Sequence, residues 1–491
     1  MLTRLKVSGF KNLVDVDVRF GPFTCIAGVN GVGKSNLFDA IRFISALANG
    51  KTFAEAAMSV REEDSTSSDI RSLFHRVGNE YAEKMSFEAE MIIPKEGIDD
   101  LGQPAKATIT SLRYALTLAY RMDKTLSSLG GSLELIEERL ERIGWQDNLK
   151  YLKFPHKPAW RKSVLQGRRA TSFISTNENQ IIRLNQDGSK GRAKSILAAN
   201  LPRTVLSNVN AIESPTALIA RREMQSWRLL QLEPAALRKP DKFMTKPGLG
   251  ANGSHLPATL YHLARSQKNN SDSSVYERIA SRLSELIDDV YDLQIDRDEK
   301  RELLTLQIKD RYETIYPAHS LSDGTLRFLA LAVLECDPNA SGLLCLEEPE
   351  NGIHPDRIPA ILELLKDIAT DTDEPVSEDN PLRQVIINTH SPAVVRQVPE
   401  DSLLVAELKE MVDQNKKIFK RTCFSFLPQT WRSEIQTDIH PVALGKLLAY
   451  LDPGINNEED KSGELQINSV KPKRIIDRQD VRQMLLSDIG D

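Results

Sequence analysis

Apolar and polar positions divide the chain into two legible ends and a harder middle. Leu2 to Phe10 reads as a short strand. Val14, Val16, Val18 and Phe20 alternate with Asp15, Asp17 and Arg19, the period-two pattern of a strand with one solvated face. Gly21-Pro22 marks a turn. Phe23 to Ala27 is a compact apolar run entering a glycine-rich loop, and from Asn36 to Ala48 apolar residues recur at helical spacing. The order is strand, loop, helix.

In the middle, Phe87 to Ile93, Ala107 to Tyr120 and Leu303 to Ile308 read as strands. Leu133, Ile136, Leu140 and Ile143 follow three–four spacing and predict an amphipathic helix. Val275, Ile279, Leu283, Leu286 and Val290 predict a second. Ser65 to Asp69 and the Gly- and Pro-containing stretch from Lys239 to Pro257 read as loops. There is no internal repeat and no heptad pattern long enough for a coiled coil. In the last third, Leu326 to Leu334 and Pro359 to Ile368 are helical. Leu343 to Leu346, Val385 to Ile387 and Leu403 to Ala406 are apolar runs of buried strands. Strand–helix alternation implies a parallel sheet with helices on both faces, an α/β fold. From Pro453 the chain turns polar, with a short helical pattern after Asp480.

Composition narrows the class. The 491 residues are 40% hydrophobic and 27% charged, the balance of a globular chain. Lys plus Arg is 64 and Asp plus Glu is 69, a net charge of −5. That argues against an all-round basic coat for nucleic acid while leaving room for a local patch. Four cysteines without a C-x-x-C exclude a zinc ribbon and a secreted disulfide framework. No apolar stretch reaches the ~18 residues of a membrane span, and MLTRLKVSGFKNL has no signal-peptide h-region. A cytoplasmic protein without a membrane partner is expected.

Four motifs hold the chemistry. Gly28-Val-Asn-Gly-Val-Gly33-Lys34-Ser35 fits G-x-x-x-x-G-K-[ST] between a strand and a helix. Its glycines let backbone N–H groups turn inward to cradle phosphate, and the helix start adds its positive end. A chance match occurs on the order of once in 60 chains of this length. The candidate nucleotide contacts are Asn30, Gly31, Gly33, Lys34, Ser35 and Asn36, with Lys34 on the β/γ-phosphates and the Ser35 hydroxyl on Mg²⁺. Leu343 to Glu350 (LLCLEEPE) is an apolar strand ending in carboxylates. Behind a phosphate loop, Glu347 is the candidate metal carboxylate and Glu348 the candidate base that orients water; alone, the motif reads as an acidic turn. Leu321-Ser322-Asp323-Gly324-Thr325 opens a helix. By itself it is an N-cap; after a phosphate loop, Ser322 and Gly324 form a second candidate phosphate surface. Val385 to Pro392 is a buried strand ending in Asn388-Thr389-His390-Ser391, which places His390 where ligands bind a doubly wound sheet.

In this order the four motifs resemble the ABC-type ATPases of the RecF, SMC and overcoming-lysogenisation-defect group. LSDGTLR, LEEPENGIHP and NTHSP are similar, more narrowly, to the ABC-like prokaryotic "AAA family" ATPases of anti-phage defence operons, of which Septu and PARIS are examples. The likeness covers about 1–50 and 315–410. It implies a P-loop NTPase with an ABC-type head, ATP and Mg²⁺ as cofactors, and catalysis by Glu348, His390 and Lys34. It also implies a homodimer that sandwiches two ATP molecules. In that dimer Ser322 and Gly324 meet the γ-phosphate on the partner's Lys34, and Asn351 to Pro355 link the two sites. Two departures stand out: Glu347 replaces the usual Asp, and Asp323 and Thr325 replace the Gly and Gln of transporters, which argues against a transporter head. The family's Q-loop glutamine has no assigned counterpart.

The expected organisation is a first head segment over 1–50, an insertion over 51–314, a second head segment over 315–452 and a polar tail over 453–491. The insertion is expected to be mainly helical, with strands joining the head sheet. From Asn148 to Asn177 it has no Asp or Glu but holds Lys150, Lys153, Lys157, Arg161, Lys162, Arg168 and Arg169, interleaved with Tyr151, Phe154, Trp160 and Phe173. Arg183, Lys190, Arg192, Lys194 and Arg203 follow. Cations for phosphates and aromatics for stacking fit DNA or RNA; the same stretch also fits an acidic protein partner or a solvated face. Three functions compete. The first is an ATP-gated sensor or scaffold for a separate effector such as a nuclease, suggested by the lack of a second catalytic motif. The second is a RecF-like DNA-repair clamp. The third, a nuclease of the overcoming-lysogenisation-defect kind, lacks a D-x-D after His390.

Overall fold

A computed structural model of the protein describes residues 1–60, 69–122, 131–167, 171–187, 193–266, 273–287, 290–412 and 416–451. Arg168, Arg169, Lys190, Arg192, most of the loop before Asp69 and the tail from 453 lie outside them. Among the described residues no helix is long and apolar enough to cross a membrane.

A six-stranded sheet organises the head, in the order Arg228–Leu230, Gly342–Glu347, Arg383–Thr389, Phe23–Ala27, Leu403–Val412, Ile418–Phe426. The first five strands run parallel, and the last closes an antiparallel hairpin with its predecessor. The three central strands are almost fully buried because both faces are covered, whereas the two last strands turn polar and exposed toward their shared hairpin. Ile26, Leu343, Cys345 and Ile386 enter one core with the helix Lys34–Ala48. Cys25, Leu344, Leu346, Val385 and Ile387 enter the other, with the helices Asp323–Cys336 and Ile358–Ile368. The parallel tips therefore all point to one end, where the candidate residues stand.

An eight-stranded antiparallel sheet builds on the N-terminal strands Leu2–Ser8 and Val16–Arg19 and extends through Lys84–Ile92, Ser111–Arg121 and Ser132–Arg142. These long strands correct the expectation of a mainly helical insertion, which divides between helices and strands. Ser132–Arg142 also corrects the helix predicted over Leu133–Ile143. Its ladder with Ser111–Arg121 slips between Leu135 and Glu137. A bulge adds one residue to the alternation, so Leu133 and Leu135 share the buried side with Glu138 and Leu140. A bulged strand thus imitates three–four spacing. The second predicted helix ends at Ser284. Val290 opens the strand Val290–Asp298, held in its ladder opposite Asp310.

Glu138 is fully buried by this register. It accepts hydrogen bonds from the Leu206 and Val205 N–H groups at 2.9 and 2.7 Å and from the Tyr114 hydroxyl at 3.1 Å. Burial pushes its carboxyl up to about 7, against the pull of those donors. The folded state therefore binds a proton more tightly than the unfolded chain, and stability is lost as pH rises from about 4.3 to 7, by up to roughly 4 kcal/mol. The difference in melting temperature between wild type and Glu138→Gln should accordingly change between pH 5 and 8 and level off above. A constant difference would remove Glu138 from the pH response.

Candidate functional site

The apolar strand Phe23–Ala27 delivers the chain to the loop Gly28–Gly33, and the helix Lys34–Ala48 begins directly after it. Gly31 and Gly33 hold φ of 81° and 95°, a left-handed region that a side chain disfavours. The Lys34 ammonium turns back to donate to the Gly28 and Val29 carbonyls at 2.6 and 3.0 Å. Burial lowers its pKa, and the nearby Glu348, Glu347 and Glu350 carboxylates oppose that shift.

One cavity of about 550 Å³ gathers Asn30, Gly31, Gly33, Lys34, Ser35 and Asn36 from the loop and Glu347 and Glu348 from the strand tip next but one in the sheet. Glu348 takes a left-handed φ of 45°. Its N–H donates to the Asn388 carbonyl at 3.0 Å, and the Asn388 amide donates to Glu347 at 3.2 Å. The two carboxylate oxygens of Glu348 are bonded separately, Oε1 to His390 Nδ1 at 2.5 Å and Oε2 to the Asn351 amide at 2.9 Å. Burial raises the Glu348 pKa, but the Asn351 and His390 hydrogen bonds and the His390 and Lys34 charges outweigh it and hold the carboxyl below its ordinary range. His390 reaches the phosphate cavity only through Glu348; its own side chain lines an adjoining, mainly apolar cavity of about 810 Å³.

Ser322 and Gly324 do not reach the phosphate cavity. Ser322 caps its helix by accepting from the Thr325 N–H at 3.1 Å. Gly324 abuts the Gly352 carbonyl, where a Cβ would lie at 2.2 Å. Arg327 donates to the Asn351 carbonyl at 2.7 Å. The Ser322–Thr325 turn and the Asn351–Pro355 loop of the chain therefore form one packed unit.

The basic stretch is changed most by the structure. Phe154 and Trp160 are buried in a small cluster with Leu152, Val164, Leu165, Leu382 and Trp431, and Phe173 lies in the main core. These aromatics pack the fold and cannot stack on bases, which corrects their expected role. Lys153, Lys157 and Lys162 are exposed, Arg161 is half-buried, and Lys157 lies 3.5 Å from Asp373.

Several site residues have no signal in a contiguous motif. Asn12 lines the phosphate cavity from the loop after the first strand. Gln231 follows the three-residue strand Arg228–Leu230, whose Leu230 pairs with Leu346 in parallel. It shares a cavity of about 260 Å³ with Glu347, Glu348 and Arg327. The run Leu229-Leu230-Gln231 before Pro234 was its faint local mark.

A parallel sheet that brings a G-x-x-x-x-G-K-S loop beside paired carboxylates and a histidine-bearing tip defines a P-loop protein with an ABC-type head. The family described as "AAA domain, putative AbiEii toxin, Type IV TA system" matches residues 23–98 and 142–396. The chain belongs to that AAA-type ATPase family. No curated protein matches it. Among solved structures it is similar to the Smc head bound to the C-winged helix domain of ScpA, with a TM-score of 0.46 and 14% identity over 87% of this chain and 98% of that one. It is also similar to a Pyrococcus furiosus Smc head with an extended coiled coil bound to the C-terminal domain of ScpA, with a TM-score of 0.43 and 12% identity over 87% and 96%. The SMC head domain from Thermotoga maritima gives a TM-score of 0.35 and 13% identity over 87% and 98%.

Proposed function

We propose that the protein is an ATPase whose heads dimerise around ATP. We further propose that it serves as a sensor or scaffold for a separate effector, a nuclease or toxin, in anti-phage defence of the Septu or PARIS kind. The observation that supports the ATPase reading most is the convergence of Lys34, Ser35, Glu347 and Glu348 on one cavity, with His390 bonded to Glu348. Lys34 and the loop N–H groups bind the β- and γ-phosphates. Glu348 takes the proton of the water that attacks the γ-phosphorus, and the bond to the β-phosphate oxygen breaks with its electron pair leaving on ADP. Ser35 and Glu347 supply the oxygen donors that suit Mg²⁺, which when bound neutralises charge on the phosphate oxygens. Gln231, beside Glu347, takes the part of the Q-loop glutamine. Ser322 and Gly324 complete the partner's site, which agrees with their distance from their own cavity.

A protein partner is favoured over nucleic acid by the insertion's surface. Ile98, Leu101 and Ile212 are 62%, 85% and 87% exposed. Ile98 ends the strand Glu96–Ile98 and Leu101 lies in the turn after it, while Ile212 lies in the turn before the helix Pro215–Gln225, whose Arg222 donates to the Ile98 carbonyl at 3.0 Å. Exposed apolar side chains mark protein contact surfaces, whereas three of the four aromatics in the basic stretch, Phe154, Trp160 and Phe173, are buried and the fourth, Tyr151, is half-buried with Arg19 over its ring. The test is capture from the native host with ATP-loaded Glu348→Gln protein, followed by mass spectrometry and nucleic-acid sequencing. A stoichiometric small nuclease or toxin is expected. DNA alone, retained only while Lys153, Lys157, Arg161 and Lys162 are intact, would replace this reading with the RecF-like clamp.

A further inference from the structure

We propose that Thr422 is a positioning residue for the phosphate loop, so that the hairpin formed by Leu403–Val412 and Ile418–Phe426 sets nucleotide affinity from outside the cavity. The proposal rests on the reading of Gly28–Ser35 as the ATP site. The hairpin is joined to the loop's own strand by parallel pairing of Leu404 with Ile26 and Val405 with Ala27. Its second strand contributes Thr422, which is 1% exposed. The Thr422 N–H donates to the Asn12 carbonyl at 3.1 Å. Its hydroxyl donates to the Val32 carbonyl at 2.6 Å. Asn12 in turn accepts, through Oδ1, the side-chain amide of Asn36 at 2.6 Å.

These bonds hold the loop backbone at Val32, before Lys34, and the side chain of Asn36 after it. Gly33 shows how closely. A Cβ at that position would lie 2.3 Å from Asn12 Nδ2 and 2.4 Å from Thr422 Oγ1. The loop is rich in glycine, and glycine loses more conformational freedom than any other residue when it is ordered. A phosphate cradle binds well only if its N–H groups already point inward, because ordering them at the moment of binding subtracts from affinity. A buried hydroxyl that satisfies the Val32 carbonyl supplies that order. Threonine suits the task because its branched Cβ restricts χ1 and keeps the hydroxyl aimed at one acceptor. Removing the hydroxyl while keeping the shape leaves a buried carbonyl unpaired and frees the loop. Glu348 and His390 stand on other strand tips, so chemistry in bound ATP should be unaffected.

The experiment titrates ATP with Mg²⁺ into the full chain, as wild type, Thr422→Val and Thr422→Ser, and measures ATPase kinetics and melting temperature on each. Thr422→Val should weaken ATP about tenfold in both Kd and KM, with kcat within twofold of wild type, and Thr422→Ser should restore binding. If wild type binds ATP and the valine variant binds equally well, the positioning role fails and the ATP reading stands. If serine and valine weaken ATP alike, packing and not the hydroxyl is responsible, and the proposal also fails. If wild type binds no ATP, both readings fall. Should Thr422→Val not fold, Thr422→Cys, similar in size with a weak donor, takes its place with the same expected loss.

Discussion

Glu348→Gln should lower ATP turnover by roughly a hundred- to ten-thousandfold while leaving ATP binding in place, the range that general-base catalysis contributes. The side chain stands at the tip of the carboxylate strand with Lys34 and Ser35 across the cavity. Its two oxygens are bonded by His390 and Asn351, so its orientation is set by the adjacent strand tip and by its own loop. Glutamine keeps the length and an oxygen acceptor but cannot take a proton from water. The carboxyl is held below its ordinary range, so the base stays ionised at neutral pH. The acid limb of the rate profile that belongs to Glu348 should then fall below about 4.3, the usual glutamate value. Phosphate release and ATP titration on the same protein check both parts. Turnover at the wild-type rate would take the base role away from Glu348.

Lys34→Ala should weaken ATP by about a hundredfold or more. Hydrogen bonds to charged groups contribute about 1.5–3 kcal/mol each, and a lysine that meets two phosphate oxygens supplies about 3–4 kcal/mol, equivalent to a factor of 10²–10³. The ammonium already points into the loop, where it donates to the Gly28 and Val29 carbonyls. Alanine leaves those two acceptors without their donor, so the melting temperature must be followed alongside affinity. Lys34→Arg separates charge from shape: the planar guanidinium does not fit a site built around a point charge, so arginine should recover little of the loss. ATP affinity within threefold of wild type in the alanine variant would overturn the assignment of the phosphate site.

The parts of the site that were legible in the sequence are contiguous. Gly28 to Ser35 declares itself because glycine, lysine and a hydroxyl must follow one another to wrap a phosphate. Glu347 and Glu348 declare themselves because an apolar run ends abruptly in two carboxylates. His390 follows the same logic at the next strand tip. Four apolar strand segments, Phe23–Ala27, Leu343–Leu346, Val385–Ile387 and Leu403–Ala406, were legible too, since burial on both faces leaves no polar alternation to confuse the pattern. The amphipathic reading of Leu133 to Ile143 failed because one bulge shifts the phase of a strand by a residue, and a phase-shifted strand shows the same spacing as a helix. The reading of Phe154, Trp160 and Phe173 as stacking groups failed for a related reason. An aromatic beside lysines has the same local sequence whether it faces solvent or a core.

The sequence by itself determined the local chemistry: which loop can cradle phosphate, which strands are buried, and which tips bear charge. Each of these depends on neighbours within a few residues along the chain. Only the tertiary structure decided that Asn351 and Asn388, already within the motif loops, bond to Glu348 and Glu347, and that Asn12, Gln231 and Thr422 belong around the same phosphate loop and its carboxylates. They come from distant segments, each an ordinary polar residue in its own stretch. Gln231 arrives because the parallel register of five strands brings its strand end to one edge of the sheet, Thr422 enters from the antiparallel sixth strand and Asn12 from the loop after the first strand of the other sheet, and no local pattern encodes that arrangement.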